Sequence, residues 1–263
     1  MPFATNDGVR IRYEVEGSGP PLLLHIGYFL GMEDWAVEGY VAALADRYRL
    51  VMLDPRGQGR SDAPHTPGAY TLDNRVRDVL AVLDAAGIEK TLFWGYSMGG
   101  NIGYALGASA PDRLASLVIG GAQPFAGNPR TPEGNFWLDG LRGGIEGFLA
   151  NWETVDPMFR PTGEQRARWL RNDAAALCVA ELDWLTEPDL EIDAVSGIRV
   201  PTLIYAGTLD RPEPMEDAAR LMPNASFVAL AGLGHGAAFN HTNLVLPFVE
   251  AFLTEHATNT IPS

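Results

Sequence analysis

The sequence predicts an α/β fold, a mostly parallel central β-sheet flanked by helices, with a small helical cap insertion. Three observations predict it. Short, mostly continuous apolar runs recur at 22–25 (LLLH), 49–54 (RLVMLD), 90–94 (KTLFW), 114–120 (LASLVIG) and 200–207 (VPTLIYAG). Runs of this kind fit strands buried on both faces of a parallel sheet. Helical patterns separate several of them, and strands alternating with helices call for a sheet covered on both sides. Between about 123 and 196 the alternation stops, and no convincing strand is present.

Val9, Ile11, Tyr13 and Val15 alternate with Arg10, Arg12, Glu14 and Glu16. That period of two predicts a half-exposed, antiparallel edge strand. The turn EGSGPP leads into the first of the apolar runs. Leu72, Val76, Val79, Leu80 and Leu83 recur at spacings of three and four, and Gly87 stops that helix. A second helix runs from Met98 to about Ala108, ahead of APDR. The stretch QPFAGNPRTPEG opens the insertion, and helical patterns follow around 135–152 and 163–186. Four of the six tryptophans fall there: Trp137, Trp152, Trp169 and Trp184. The plain expectation is that these aromatics glue the helical layer to the main domain; the functional reading compatible with it is that some also line an apolar substrate pocket beneath a lid. The expected organisation is a core of residues 1–122 and 197–263 with a cap of residues 123–196.

Bulk properties narrow the function. The chain has 263 residues, 46% hydrophobic and 20% charged, as soluble globular proteins do. Its net charge of −14 argues against a nucleic-acid or anionic-membrane partner, which would need a basic face. One cysteine, Cys178, sits in an apolar helical pattern and reads as a core thiol; it allows no internal disulfide and no cysteine metal cluster. The N-terminal residues lack an apolar signal core, and no run approaches the ~20 residues that cross a bilayer. A cytoplasmic location is the expectation.

The segment FWGYSMGG, residues 93–100, surrounds one hydroxyl with three glycines. GYSMG matches G-x-S-x-G, the nucleophile elbow, in which a strained strand-to-helix turn lifts the serine above the sheet edge. Small neighbours let strand and helix pack closely. The helix that follows turns its N-terminal N–H groups and positive dipole end towards Ser97, where negative charge on a reacting oxygen is stabilised.

With LLLHIGY, DPRGQGRSD at 54–62, GTLDRPEP at 207–214 and GLGHGAAF at 232–239, the chain resembles the α/β-hydrolase superfamily over essentially its whole length, in particular the small capped serine esterase-like members. A serine needs a base. Among the five histidines, His235 lies in a Gly-rich loop late in the chain, where the superfamily places that base; His241 is the runner-up, and His25, His65 and His256 lie at a strand end, in a turn and in the C-terminal helix. The imidazole needs a carboxylate to fix its tautomer. Asp210 follows TLIYAGTLD directly, in the order Ser, Asp, His that the fold expects, whereas Glu213, Glu216 and Asp217 suit the start of the next helix. By resemblance, the oxyanion is held by the N–H of Met98 and by one from the loop after LLLH. Family members usually read His-Gly there; this chain has HIGYF, so that Gly27 as the matching glycine makes Tyr28 the donor. Asp54 and Arg56 hold their loop by hydrogen bonds.

No P-loop, dinucleotide fingerprint or His-Glu-x-x-His spacing occurs, so no cofactor or metal is expected. The expected function is a carboxylic ester hydrolase that acts on a small or medium, apolar ester through an acyl-enzyme, with activity rising with pH through the ordinary imidazole range near ~6.5. Lactone hydrolysis, C–C bond hydrolysis and perhydrolysis would use the same three residues. A non-catalytic small-ligand receptor on this fold is the rival from another class. The sequence leaves the oligomeric state open.

Overall fold

A computed structural model describes residues 2–155 and 161–260. The strands are β1 (Phe3–Asn6), β2 (Val9–Glu16), β3 (Pro21–His25), β4 (Arg49–Leu53), β5 (Thr91–Tyr96), β6 (Leu114–Gly120), β7 (Thr202–Gly207) and β8 (Ala225–Leu230). Before β6 the helices are α1 (Glu33–Val37), α2 (Tyr40–Leu44), α3 (Leu72–Ala85) and α4 (Met98–Ser109). Between β6 and β7 lie α5 (Phe136–Leu141), α6 (Gly144–Val155), α7 (Gly163–Trp169), α8 (Ala174–Thr186) and α9 (Ile192–Ser196). The last three are α10 (Glu213–Leu221), α11 (His235–Asn240) and α12 (Thr242–His256).

All eight strands form one sheet in the order β1-β2-β4-β3-β5-β6-β7-β8. Pairing is antiparallel at β1/β2 and β2/β4 and parallel from β4 through β8. β5 and β6 are buried along their whole length, which is why their sequences carry no alternation. One face packs Val76, Val79 and Leu83 of α3 with Ile102 and Leu106 of α4. The other packs Trp35, Tyr40, Trp94 and Phe239 with Val245, Val249 and Leu253 of α12. Strand order reverses between β3 and β5, and at such a switch point the crevice beyond the strand ends is open to a ligand.

The strand over Val9–Glu16 is antiparallel as expected, but it is not the edge. β1 covers it, and Arg12, on the face expected to meet solvent, is buried among Asp54, Glu33 and Glu14. Charge pairing rather than hydropathy decides that position. The helical patterns at 135–152 and 163–186 each break into two helices, at Gly144 in the left-handed region (φ 74°) and at Asp173, whose carboxylate caps α8 through Ala175 and Ala176. Among the described residues, 123–196 contains no strand; 156–160, within the expected cap, lie outside the described residues.

Three of the four tryptophans in these helices join one aromatic cluster on the core. Trp169 meets Phe29 edge-on at 5.3 Å, and Trp137 stacks on Trp152 at 4.7 Å beside Phe148. Trp184 lies elsewhere, its carbonyl accepting from Asn128. Cys178 is half-buried rather than fully in the core, and burial pushes its thiol pKa up.

Candidate active site

Ser97 stands between β5 and α4 with φ 55° and ψ −119°, a backbone conformation that side chains rarely adopt. Its surroundings hold it there. Ser97 donates from its N–H to the Gly120 carbonyl at 2.8 Å, and its own carbonyl accepts from Gly100 and Asn101. The flanking glycines are required by close approach. A Cβ at Gly95 would sit 2.1 Å from the Gly99 oxygen, one at Gly99 would sit 2.2 Å from the His25 oxygen, and one at Gly100 would meet Ala122 at 2.5 Å. β5, α4 and the end of β3 touch through bare backbone, and the hydroxyl is left at the crevice.

Two further loops bring the partners. Beyond β7 and β8 the chain ends are laced together: Thr208 and Leu209 donate to Leu230 and Leu233, and Gly232 donates to the Thr208 hydroxyl. Asp210 and His235 thereby face each other. His235 Nδ1 lies 2.7 Å from Asp210 Oδ2, and His235 Nε2 lies 3.0 Å from Ser97 Oγ. The carboxylate can only accept, so Nδ1 carries the proton and Nε2 presents its lone pair to the serine hydroxyl. Such a relay can take a proton from a hydroxyl and return it to a leaving group. The imidazole and carboxylate side chains are 31% and 19% exposed, so a small molecule can reach them.

The other candidates lie elsewhere. His241 is exposed and donates to the Ala237 carbonyl, His65 pairs with Asp173 on the surface, and His256 packs on Phe252. Glu216 and Asp217 pair with Arg220, and Glu213 opens α10, as their helix-start reading anticipates. His25 is fully buried at the end of β3 and donates from Nδ1 to the Ile26 carbonyl; burial pushes its pKa down to about 4. The unfolded chain therefore binds more protons between about pH 4 and ~6.5, and stability falls as pH drops through that window, by ~3 kcal/mol in all. Urea midpoints followed from pH 8 down to pH 4 are expected to fall less steeply in His25→Gln than in wild type; equal slopes would remove His25 as the cause.

Met98 opens α4 directly after Ser97, and its sulfur touches the buried Arg75 guanidinium. Gly27 lies against Ser97: a Cβ there would be 3.2 Å from the serine Cβ and 3.7 Å from its Oγ. The Tyr28 hydroxyl donates to the Leu177 carbonyl of α8 at 2.7 Å, and its ring is 6.0 Å from Phe148. Among the described residues, the backbone N–H groups of Tyr28 and Met98 find no acceptor.

Asp54 and Arg56 hold the loop after β4. Asp54 accepts from the N–H groups of Met32 and Arg60 and from Arg12, while Arg56 forks onto Asp78 at 2.5 and 2.6 Å and reaches the Ala69 carbonyl. Sequence reasoning missed two residues near the reaction centre. Tyr96 donates to the His235 carbonyl and packs its ring 5.4 Å from the imidazole. Gln58, 2% exposed, donates through Nε2 to the carbonyls of both Gly27 and Leu30. Among the described residues, no group of three or more His, Cys, Asp or Glu is arranged to hold a metal ion, and no helix is long and apolar enough to cross a membrane.

The chain is similar in sequence and in fold to known proteins. The family described as alpha/beta hydrolase fold matches residues 20–156. A non-heme chloroperoxidase of Streptomyces lividans is 28% identical, over 95% of this chain and 98% of its own. The crystal structure of the enol-lactonase from Burkholderia xenovorans LB400 superposes with a TM-score of 0.79 at 25% identity, covering 96% of this chain and 100% of its own. A thermophilic esterase from Thermogutta terrifontis, solved with malate bound, gives 0.79 at 26% identity, covering 96% and 97%.

Proposed function

The chain belongs to the alpha/beta hydrolase family, and from that premise we propose that it is a serine hydrolase cleaving a small or medium carboxylic ester through an acyl-enzyme. The observation that carries the reading is His235, which bridges Asp210 at 2.7 Å and Ser97 at 3.0 Å. Ser97 Oγ attacks the ester carbonyl while His235 Nε2 takes its proton, and Asp210 holds the imidazolium that forms. The carbonyl π electrons move to oxygen, and the resulting oxyanion accepts hydrogen bonds from the N–H groups of Tyr28 and Met98. Collapse breaks the C–O bond, and the alcohol leaves with the proton from His235. Water, deprotonated by the same imidazole, then releases the carboxylic acid and restores the serine. Residues 123–196 act as a cap. The cluster of Phe29, Phe148, Trp137 and Trp152 beside Tyr28 supports an apolar acyl or alcohol group.

Likeness to an esterase and to an enol-lactonase at the same TM-score favours a second substrate geometry for the same chemistry, a lactone. A panel of p-nitrophenyl esters from acetate to decanoate, run beside five- and six-membered lactones, separates the two. Turnover of short and medium esters with labelling of Ser97 by a fluorophosphonate is expected. Lactone turnover alone would move the substrate class, and binding without turnover or labelling would favour a receptor.

A further inference from the structure

The segment from Gly27 to Met32 is gripped at nearly every peptide. The Gly27 and Leu30 carbonyls both accept from Gln58 Nε2, at 2.9 and 2.8 Å. The Phe29 carbonyl accepts from Asn172, between α7 and α8, and Asn172 Oδ1 in turn accepts from the Gly59 N–H, next to Gln58. Gly31 donates to Asp34 and Met32 to Asp54. Phe29 sits in the left-handed region at φ 59°, a conformation unfavourable for a residue with a side chain, so the loop is held in place rather than relaxed.

We propose that Gln58 is a positioning residue for the oxyanion-binding peptide, acting through the carbonyl of Gly27 on the N–H of Tyr28. The two groups belong to one trans peptide unit, in which C=O and N–H point in opposite directions. Fixing the carbonyl on the Gln58 side therefore fixes the N–H on the other. Gly27 contacts Ser97, and the Tyr28 N–H has no acceptor among the described residues, so the donor stays free for a substrate oxygen. Gln58 suits the task. It is buried, so its amide is not diverted by water, and its single nitrogen has two N–H donors, one for each carbonyl. Without it, no other side chain among the described residues holds the carbonyl of the 27–28 peptide, which can then rotate and turn oxygen instead of hydrogen towards the developing charge.

The inference rests on the reading of Ser97 as nucleophile, and the experiment keeps the two apart. Wild type, Gln58→Leu and Gln58→Met are compared for ester turnover, thermal midpoint, and inhibition by a matched pair of ligands: an alkyl trifluoromethyl ketone, which adds the serine oxygen and forms an oxyanion, and the corresponding methyl ketone, which binds without adding. Gln58→Met keeps nearly the same length and volume with no donor, so it supplies a folded protein that lacks both hydrogen bonds should the leucine variant not accumulate. The expected result is a 10- to 10²-fold fall in kcat/KM, carried mainly by kcat, with trifluoromethyl ketone affinity weakened by about the same factor and methyl ketone affinity unchanged. A folded variant that keeps wild-type kcat and trifluoromethyl ketone affinity overturns the proposal. Equal weakening of both ketones also overturns it, because that is the mark of a purely structural role. Wild-type protein that neither turns over ester nor reacts with a fluorophosphonate at Ser97 overturns the nucleophile reading, and this inference with it.

Discussion

Ser97→Ala is expected to lower kcat/KM for the best ester by ~10⁴–10⁶ and to abolish fluorophosphonate labelling while the thermal midpoint stays within a few degrees of wild type. The size follows from what is lost. Without the oxygen there is no acyl-enzyme, and His235 can only activate a water that no backbone positions; the residual rate comes from substrate binding and the oxyanion donors. A loss of this size corresponds to ~5.5–8 kcal/mol of transition-state stabilisation. The fold should not notice, because alanine at φ 55° carries the same backbone strain as serine, and the Ser97 hydrogen bonds that hold the elbow run through its N–H and carbonyl. Labelling that persists at another residue would relocate the nucleophile and end the reading.

Asp210→Asn is expected to cost ~10⁴ in kcat with little change in stability. In wild type the carboxylate accepts from Nδ1 at 2.7 Å, so Nε2 is free to accept from Ser97. An asparagine amide can donate as well as accept. When it donates to Nδ1, the imidazole proton moves to Nε2, and the nitrogen facing Ser97 at 3.0 Å then carries a hydrogen and cannot take another. The side chain is 19% exposed, so an uncharged replacement of the same shape leaves no buried charge behind. Steady-state kinetics with p-nitrophenyl butyrate decides the matter. A fall smaller than about tenfold would mean that Asp210 does not orient the base.

The parallel strands, the elbow and the Asp210–His235 pair were legible because each leaves a local trace. Strands buried on both faces read as continuous apolar runs, and the elbow needs glycines wherever backbones touch. The aspartate and histidine stand at the ends of the strand-like segments before them. What stayed hidden depends on distance or on charge. Arg12 lies inside because three carboxylates from β2, α1 and the end of β4 surround it, a fact no hydropathy pattern carries. The strand Phe3–Asn6 is too short and too mixed to stand out, so its neighbour took its place as the expected edge. Gln58 was passed over although its loop was singled out. Its partners are backbone carbonyls 31 and 28 residues away, and a carbonyl has no residue identity to read. The insertion's helix breaks did leave signals, Gly143–Gly144 and the capping Asp173, which the apolar spacing outweighed.

Ser97 precedes His235 by 138 residues, with the inserted helices and the last two parallel strands between them. During synthesis the Ser97 hydroxyl is made long before His235, and the contact between them requires β7 and β8, which carry the loops of Asp210 and His235, to be in the sheet. On the proposed reading, reactivity is thus acquired late, when little beyond α12 is still to be added. If Ser97 is the nucleophile proposed above, the stoichiometry of its labelling by a covalent probe is expected to track the fraction of a preparation in which β7 and β8 have joined the sheet.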